Sequence, residues 1–390
     1  MMPDAGKILL AAATLGCSAV AVACTSFAIH PSVSETGNML LQKCRDSTMG
    51  KLDADIRTGP DGVRWMRIGA NNGAMFAMND RGVAITVNTG NKLEGAAIPK
   101  KRPRKQGPAM NPIMEKCRTA EAGIPMIERY FRNPTGIYMI ADAKRAFLVE
   151  AGAGYGEHKE LTGGILVVAN EMHLPGVEEY NTSEMRGMCR QRAREANTRA
   201  ALKATRNKHG KYTRRGMFAT SRRRYGQAIK DHNVFRPISP KSGVGSVSAV
   251  CFEPDREFPE YLSTAYIALG PQRHTIYLPC PMALEQFPGS FRDGSWAELA
   301  VAIRKNQGEE NPLLERIVAL EDELLSEYDK TRAEARALLR AGRKEDAKKL
   351  LNDRFEAQFR KAETLMTELA AHPAAKPGKK SKRPTKSSKP

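Results

Sequence analysis

Cys24 follows Ala21-Val22-Ala23 at the end of an apolar run that starts at Ile8, just after Lys7. Small-x-small before a cysteine is a pattern that signal peptidases cut after, and a run of about 16 residues is short for a membrane span. Cleavage there would make Cys24 the first residue of the exported chain. A terminal cysteine carries its own base, because the α-amino group has a reference pKa of roughly 7.7 to 8.0 and can take the thiol proton. The thiolate is then the nucleophile. A lipid-attachment cysteine also sits at a cleavage site, but Ala21 stands three before it where leucine is usual, and Val22 follows.

One thiol needs partners, and the neighbouring residues supply them. "CTSFAIH" reads as a strand, and "GNMLLQKCRDS" as a second strand after a turn around Glu35-Thr36-Gly37. The hairpin returns Lys43, Arg45 and Asp46 towards Cys24. An aspartate there can hold the α-ammonium, and a lysine or arginine can stabilise the thiolate. Alternation puts Lys43 and Arg45 on the face opposite Asp46 unless a bulge intervenes, so which basic group meets the thiol stays open.

The order of the segments "ACTSFAI", "GNMLLQKCRDS", "MNDRGVAITVNTGN", "GGILVVANEMHLPG", "TSRRRYGQAI" and "VGSVSAVCFEPDREFPEYLSTAYIALGP" resembles the cysteine N-terminal-nucleophile (Ntn) hydrolases over roughly residues 24 to 285. The branch it is most similar to is the acyl-coenzyme A:6-aminopenicillanic acid acyltransferase-like peptidases, with bile salt hydrolases and penicillin V acylases as more distant cousins. The resemblance implies Cys24 as nucleophile, Asp46 as the group orienting the amine, and Asn170 as the oxyanion-hole amide. Asn88, with Asn91 as fallback, takes the polar position reaching the site. Arg45 joins the catalytic set, while Arg224 and Lys43 fall to substrate binding. The family's arginine three before the aspartate is Lys43 here. His173 is read as a loop histidine outside the chemistry.

The fold class implied is α+β, a four-layer αββα sandwich with a C-terminal helical extension. The activity implied is hydrolysis or acyl transfer at linear amides of small acylated amines, β-lactam side chains or amino-acid conjugates, through a thioester and with no metal or cofactor required. Two other readings stay open: a related dipeptidase type that also starts Cys-Thr, and a non-enzymatic, lipidated basic surface-binding protein.

The chain has 390 residues, 41% of them apolar, enough for a large core with an appendage. Its seven cysteines show no metal-type spacing. Removing residues 1–23 would leave six, and a free Cys24 then limits disulfides to at most two. The formal net charge is +19, which favours anionic surfaces, yet no nucleic-acid module accompanies it and no nucleic-acid partner is expected. Strands are expected at 82–87, 136–140, 146–149, 165–168, 247–252 and 261–269, and helices at about 108–131 and 183–206.

The expected division is a signal peptide at 1–23, a catalytic domain at 24–290, a helical hairpin at 295–372 and a basic tail at 373–390. Leu313, Ile317, Leu320, Leu324 and Tyr328 recur at helical spacing, and Gly342 marks the turn between two helices. That pair is expected to pack on the catalytic domain or on a second copy. The Pro-rich loop 96–112 and the tail carry basic charge that could favour anionic substrates or an anionic cell surface.

Overall fold

The computed structural model describes residues 24–48, 52–70, 73–90, 106–130, 135–152, 155–179, 185–224, 234–239 and 243–372. The expected signal peptide, Asn91, most of the basic loop and the basic tail lie outside them. Strands and helices follow one another as β1 (Thr25–Ile29), β2 (Leu40–Thr48), β3 (Leu52–Thr58), β4 (Arg64–Ala70), β5 (Gly73–Asn79), β6 (Ala84–Thr89), α1 (Gln106–Lys116), α2 (Ala120–Tyr130), β7 (Gly136–Ala141), β8 (Ala146–Gly152), β9 (Tyr155–Glu160), β10 (Ile165–Val168), α3 (Met185–Ala204), α4 (Arg214–Ser221), β11 (Val244–Glu253), α5 (Pro259–Leu262), β12 (Thr264–Leu269), β13 (Leu278–Pro281), α6 (Gly289–Asp293), α7 (Ser295–Gln307), α8 (Leu314–Arg340) and α9 (Lys344–Ala371).

Two antiparallel sheets result. The first has strand order β10-β1-β2-β11-β12-β13, and the second runs in chain order from β3 to β9. Period-2 alternation sends each strand's residues to two faces, and both faces of both sheets find apolar partners. Ala28, Leu41, Val250, Phe252 and Ile267 of the first sheet share one core with Met66, Phe76, Met78, Met139 and Leu148 of the second. Phe27, Ile29, Leu40, Ala249 and Tyr266, on the outer face of the first sheet, pack with Leu202, Met217, Phe218, Tyr328 and Leu351 from α3, α4, α8 and α9. Ile85, Val87, Tyr138 and Val149, on the outer face of the second, pack with Ile113, Met114, Ile124 and Ile127 from α1 and α2. The expected αββα order is therefore the observed one.

Three expectations change in detail. The single helix expected at 108–131 is two, because Ala120 donates its N–H to Asp142 (2.8 Å) and Thr119 Oγ1 accepts from Ala122 (3.2 Å), starting a new helix. The strand expected at 261–269 begins at Thr264, since Pro259 opens a short helical turn before it. The strands β3 to β5 were not expected, although Leu52, Ala54 and Ile56 alternate with Asp53, Asp55 and Arg57. Their polar face is held by Arg67, which bonds Asp53 at 3.0 Å and Asp55 at 2.9 Å.

The C-terminal helices complete the layer over the first sheet. Gly342 has φ +75° and closes α8 with paired bonds from its own N–H to Leu339 O and from Arg343 N–H to Leu338 O. This turn returns α9 along α8, and the seam packs on the sheet. Ionic contacts reinforce it: Arg332 on α8 bonds Glu253 (2.7 Å) and Asp255 (2.9 Å), and Arg214 bonds Asp329 (2.7 Å). Among the described residues no helix is long and apolar enough to cross a membrane.

Candidate active site

Strand register brings the chemistry-bearing residues together. In the β1–β10 pair Ser26 faces Val168, so two residues further along that register Cys24 lies opposite Asn170. In the β1–β2 pair Thr25 faces Cys44, which puts Cys24 opposite Arg45. Cys24 is thus flanked on both sides, and it is buried. Its backbone nitrogen donates to Asn170 Oδ1 at 2.6 Å, and its Sγ lies 4.0 Å from the backbone carbonyl of Asp46.

Alternation then decides which side chains meet the thiol. Ala28 and Leu41 belong to the core between the sheets, so Cys24, Ser26, Lys43 and Arg45 share that inner face. Asn88 reaches it from β6 of the other sheet. Its Oδ1 accepts from Ser26 Oγ (2.7 Å) and from Lys43 Nζ, while its Nδ2 donates to Ala169 O (2.6 Å). Asn88 therefore clamps β1, β2 and the end of β10 at one point.

Lys43 is fully buried, and burial pushes its ammonium below the ordinary lysine value. Cys24, on the same face of the sheet, is the foremost influence opposing that shift. Arg45 is partly exposed, and it too feels Cys24. Its contact with Ser47 is long, 3.4 Å, and its Nε is buried without a partner. Both basic groups lie on the face of the sheet that Cys24 takes.

Asp46 takes the opposite face, as the unbroken alternation of β2 requires. The register irregularity lies on the partner strand β11, where Ser246 pairs with Asp46 and Ser248 with Arg45. Ser246 Oγ donates to Asp46 Oδ1 at 2.6 Å. The carboxylate expected to orient the Cys24 nitrogen is thus bonded to Ser246, and the acceptor on that nitrogen is the side-chain carbonyl of Asn170. The Asn170 amide nitrogen donates to Thr89 O at 2.7 Å.

Burial raises the Asp46 carboxyl to about 6, against the opposing pull of Arg194, Ser246, Arg236 and Lys43. A folded-state value above the unfolded one means that the native chain holds its proton longer. Stability then falls as pH rises from about 4 to about 6. Asp46→Asn removes this slope, so the variant should gain on wild type across that interval. Urea midpoints measured every half pH unit would show it, and parallel curves for the two proteins would contradict it.

A second tier fixes the segment carrying Asn170. Glu195 accepts Ala169 N–H (2.9 Å) and pairs with His173 Nε2 (3.0 Å). Glu150 accepts the N–H groups of His173 (2.8 Å) and Leu174 (2.9 Å). His173 is a loop residue, as expected, and it serves this scaffold. The sequence reading passed over Ser26, Glu150, Glu195 and Ser246. Only Glu150 carried a signal, a carboxylate in the middle of the apolar strand "AFLVEAG".

Arg224, expected to bind substrate, ion-pairs with Glu310, and among the described residues no contact joins it to the Cys24 cluster. A groove of about 260 Å³ between α4 and α8, lined by Phe218, Arg222, Leu314 and Val318, also contains none of the residues around Cys24. The five cysteines whose side chains are described, Cys24, Cys44, Cys117, Cys251 and Cys280, are all free. Burial raises the Cys44, Cys251 and Cys280 thiols far above the ordinary value and Cys117 to about 11.

No family model matches the sequence, and no curated protein matches it. Solved structures similar to this chain include an N-acylethanolamine-hydrolyzing acid amidase ortholog from Caenorhabditis elegans. It is 11% identical, with 60% of this chain and 95% of that chain covered and a TM-score of 0.40. Two others are a mutant and a variant of conjugated bile acid hydrolase from Clostridium perfringens, each 10% identical. The mutant covers 62% of this chain and 88% of its own, with a TM-score of 0.36. The variant covers 63% and 89%, with a TM-score of 0.37.

Proposed function

We propose that this chain is a cysteine amidohydrolase or acyltransferase acting on linear C–N amide bonds of small acylated amines or amino-acid conjugates. The observation that carries the reading is the seating of Cys24. Its nitrogen is held by Asn170 Oδ1 at 2.6 Å, and its thiol shares a buried face with Lys43, Arg45 and Asn88. A small hydrophobe filling a core would need none of these polar neighbours.

In the proposed reaction the Cys24 thiolate attacks the amide carbon, and the carbonyl electrons move to oxygen. The Asn170 side-chain amide has two N–H bonds, and Thr89 takes one. The other is available to the oxyanion, where a donor is worth roughly 3 kcal/mol. Collapse breaks the C–N bond, the α-amine that took the thiol proton passes it to the leaving nitrogen, and a thioester remains on Cys24. Water regenerates the thiol in hydrolysis, and an acceptor amine does so in transfer. Lys43 and Arg45 together favour a substrate with a polar or anionic group near the scissile bond.

Export belongs to the same proposal, with cleavage between Ala23 and Cys24 releasing the chain. The test is to incubate the protein secreted by a bacterial host with N-acyl amines and N-acyl amino acids, then to read intact mass and the Cys24 peptide. The expected result is a chain starting at an unmodified Cys24 that gains one hydroxylamine-labile acyl group there. A diacylglycerol adduct on Cys24, or no acyl-enzyme with any substrate, would overturn the reading.

A further inference from the structure

Elsewhere in this fold, buried guanidiniums are paired with carboxylates. Arg67 bonds Asp53 (3.0 Å) and Asp55 (2.9 Å), Arg222 bonds Glu321 (2.7 Å), and Arg332 bonds Glu253 (2.7 Å) and Asp255 (2.9 Å). Arg45 breaks this habit. Among the described residues no carboxylate lies within ion-pair distance of it. Its Nη2 reaches Ser47 Oγ at 3.4 Å, and its Nε is buried without a partner. Asp46, its neighbour in sequence, takes the other face of β2 and accepts from Ser246 Oγ at 2.6 Å. A guanidinium drawn largely out of water with no counter-charge is costly until an anion joins it.

The place of this vacancy in the charge pattern matters. Strand register sets Arg45 opposite Cys24 across β1 and β2, and directly opposed Cα atoms in such a pair are roughly 5 Å apart. The other cation on that face, Lys43, is fully enclosed and donates to Asn88 Oδ1. Arg45 keeps part of its surface open. An incoming ligand therefore meets Arg45 and not Lys43. The neutral side chains of Ser26 and Asn88 share the face and offer no competing negative charge.

We infer that Arg45 is a specificity-determining residue that receives a carboxylate of the substrate, a few bonds from the scissile carbonyl carbon. The inference rests on the proposed function in taking Cys24 as the nucleophile, and it narrows the substrate class to acidic amides. A planar carboxylate suits a guanidinium because it can accept two N–H bonds from it at once. Two kinds of amide carry that group three bonds from the carbonyl carbon. An N-acyl amino acid has it on the leaving amine, and a succinic monoamide has it on the acyl side. A cation that served only the sulfur would treat charged and neutral substrates alike.

The experiment measures binding in the full chain carrying Cys24→Ala, so that no probe is turned over. Calorimetry compares N-hexanoylglycine with N-hexanoylglycinamide, and N-hexylsuccinamate with N-hexylsuccinamide. The same titrations are repeated with Arg45→Met and Arg45→Lys added. In at least one pair the acid should bind about tenfold to a hundredfold tighter than its amide, the scale of hydrogen bonds to a charged group. The pair that shows this identifies the side of the scissile bond that Arg45 reads. Arg45→Met should abolish the preference by weakening the acid and leaving the affinity of the amide within about twofold. Arg45→Lys should fall between, because an ammonium keeps the charge and loses the fork.

Four results would overturn the inference. They are acids and amides binding equally in the Cys24→Ala chain, no probe binding at all, a preference that survives Arg45→Met, and an equal loss for acid and amide in that variant. Thermal unfolding of each variant accompanies the titrations. If Arg45→Met does not fold, the preference with Arg45 present and its decline in Arg45→Lys decide the matter. Acids that bind as expected to a chain whose wild type cleaves none of them would refute the proposed function and leave Arg45 as a carboxylate receptor.

Discussion

Replacing Cys24 by alanine is expected to lower amide turnover by on the order of 10⁴-fold or more, the usual scale for loss of a nucleophile. No other described thiol can substitute. Cys44, Cys251 and Cys280 are buried with pKa values raised far above normal, and Cys44 faces the helical layer and not the inter-sheet space. The fold should survive, because the change removes one sulfur whose hydrogen-bonding partner is the Asp46 carbonyl 4.0 Å away. Initial rates on the best amide substrate, paired with thermal unfolding curves, separate the two effects. A variant with unchanged melting and near-wild-type rate would remove Cys24 from the mechanism and with it the proposed function. Cys24→Ser should also be inactive, since the hydroxyl is a far poorer nucleophile than the thiolate at neutral pH.

The largest stability effect is expected at Glu253, at the end of β11. This fully buried carboxylate accepts from Arg332 (2.7 Å), Asn38 (2.7 Å) and Tyr266 Oη (2.9 Å), with Arg214 at 3.6 Å. Burial alone would raise its pKa, but the two guanidiniums and the Asn38 bond outweigh that and hold it well below the usual carboxylate range. Glu253→Leu leaves Arg332 and Arg214 enclosed with less compensation, which should cost about 3–5 kcal/mol in unfolding free energy. The double change Glu253→Leu with Arg332→Leu should recover part of the loss, because it removes a stranded charge together with its partner.

Denaturant midpoints for the two single variants and the double variant form the test. A single variant within 1 kcal/mol of wild type, on the scale of an exposed pair, would show that the network is solvated. The pH dependence has a definite sign. A depressed folded-state pKa gives stability that is present above the ordinary glutamate value and is lost as pH falls towards the folded value. The link runs from α8 to β11, and β11 lies beside β2, which carries Lys43. The C-terminal helices therefore brace the sheet that holds the nucleophile.

Much of this was written into short stretches of chain. A strand's period of two is local, so "QKCRDS" by itself puts Lys43 and Arg45 together and Asp46 apart, and the structure keeps that division. The hairpin of β1 and β2, the strand ending just before Asn170, and the Gly342 turn between long helices depend on neighbours a few residues away. They were legible for that reason. The pairing of Cys24 with the strand that returns Lys43 needed only the hairpin.

Contacts between distant segments were decided by tertiary structure. Asn170, 146 residues from Cys24, presents its carbonyl oxygen, and not its amide nitrogen, to the nucleophile's nitrogen. That choice depends on Thr89 accepting from the amide nitrogen, and so on how the second sheet packs over the first. Asn88 meets Lys43 because the two sheets stack, which no period along either strand encodes. The resemblance implied substrate binding for Arg224, but in the structure its guanidinium pairs with Glu310, far along the chain. The sequence specifies which faces exist on each strand and helix. Which faces meet is settled by burying all the apolar ones at once, and the polar residues at those seams find the partners that this packing leaves them.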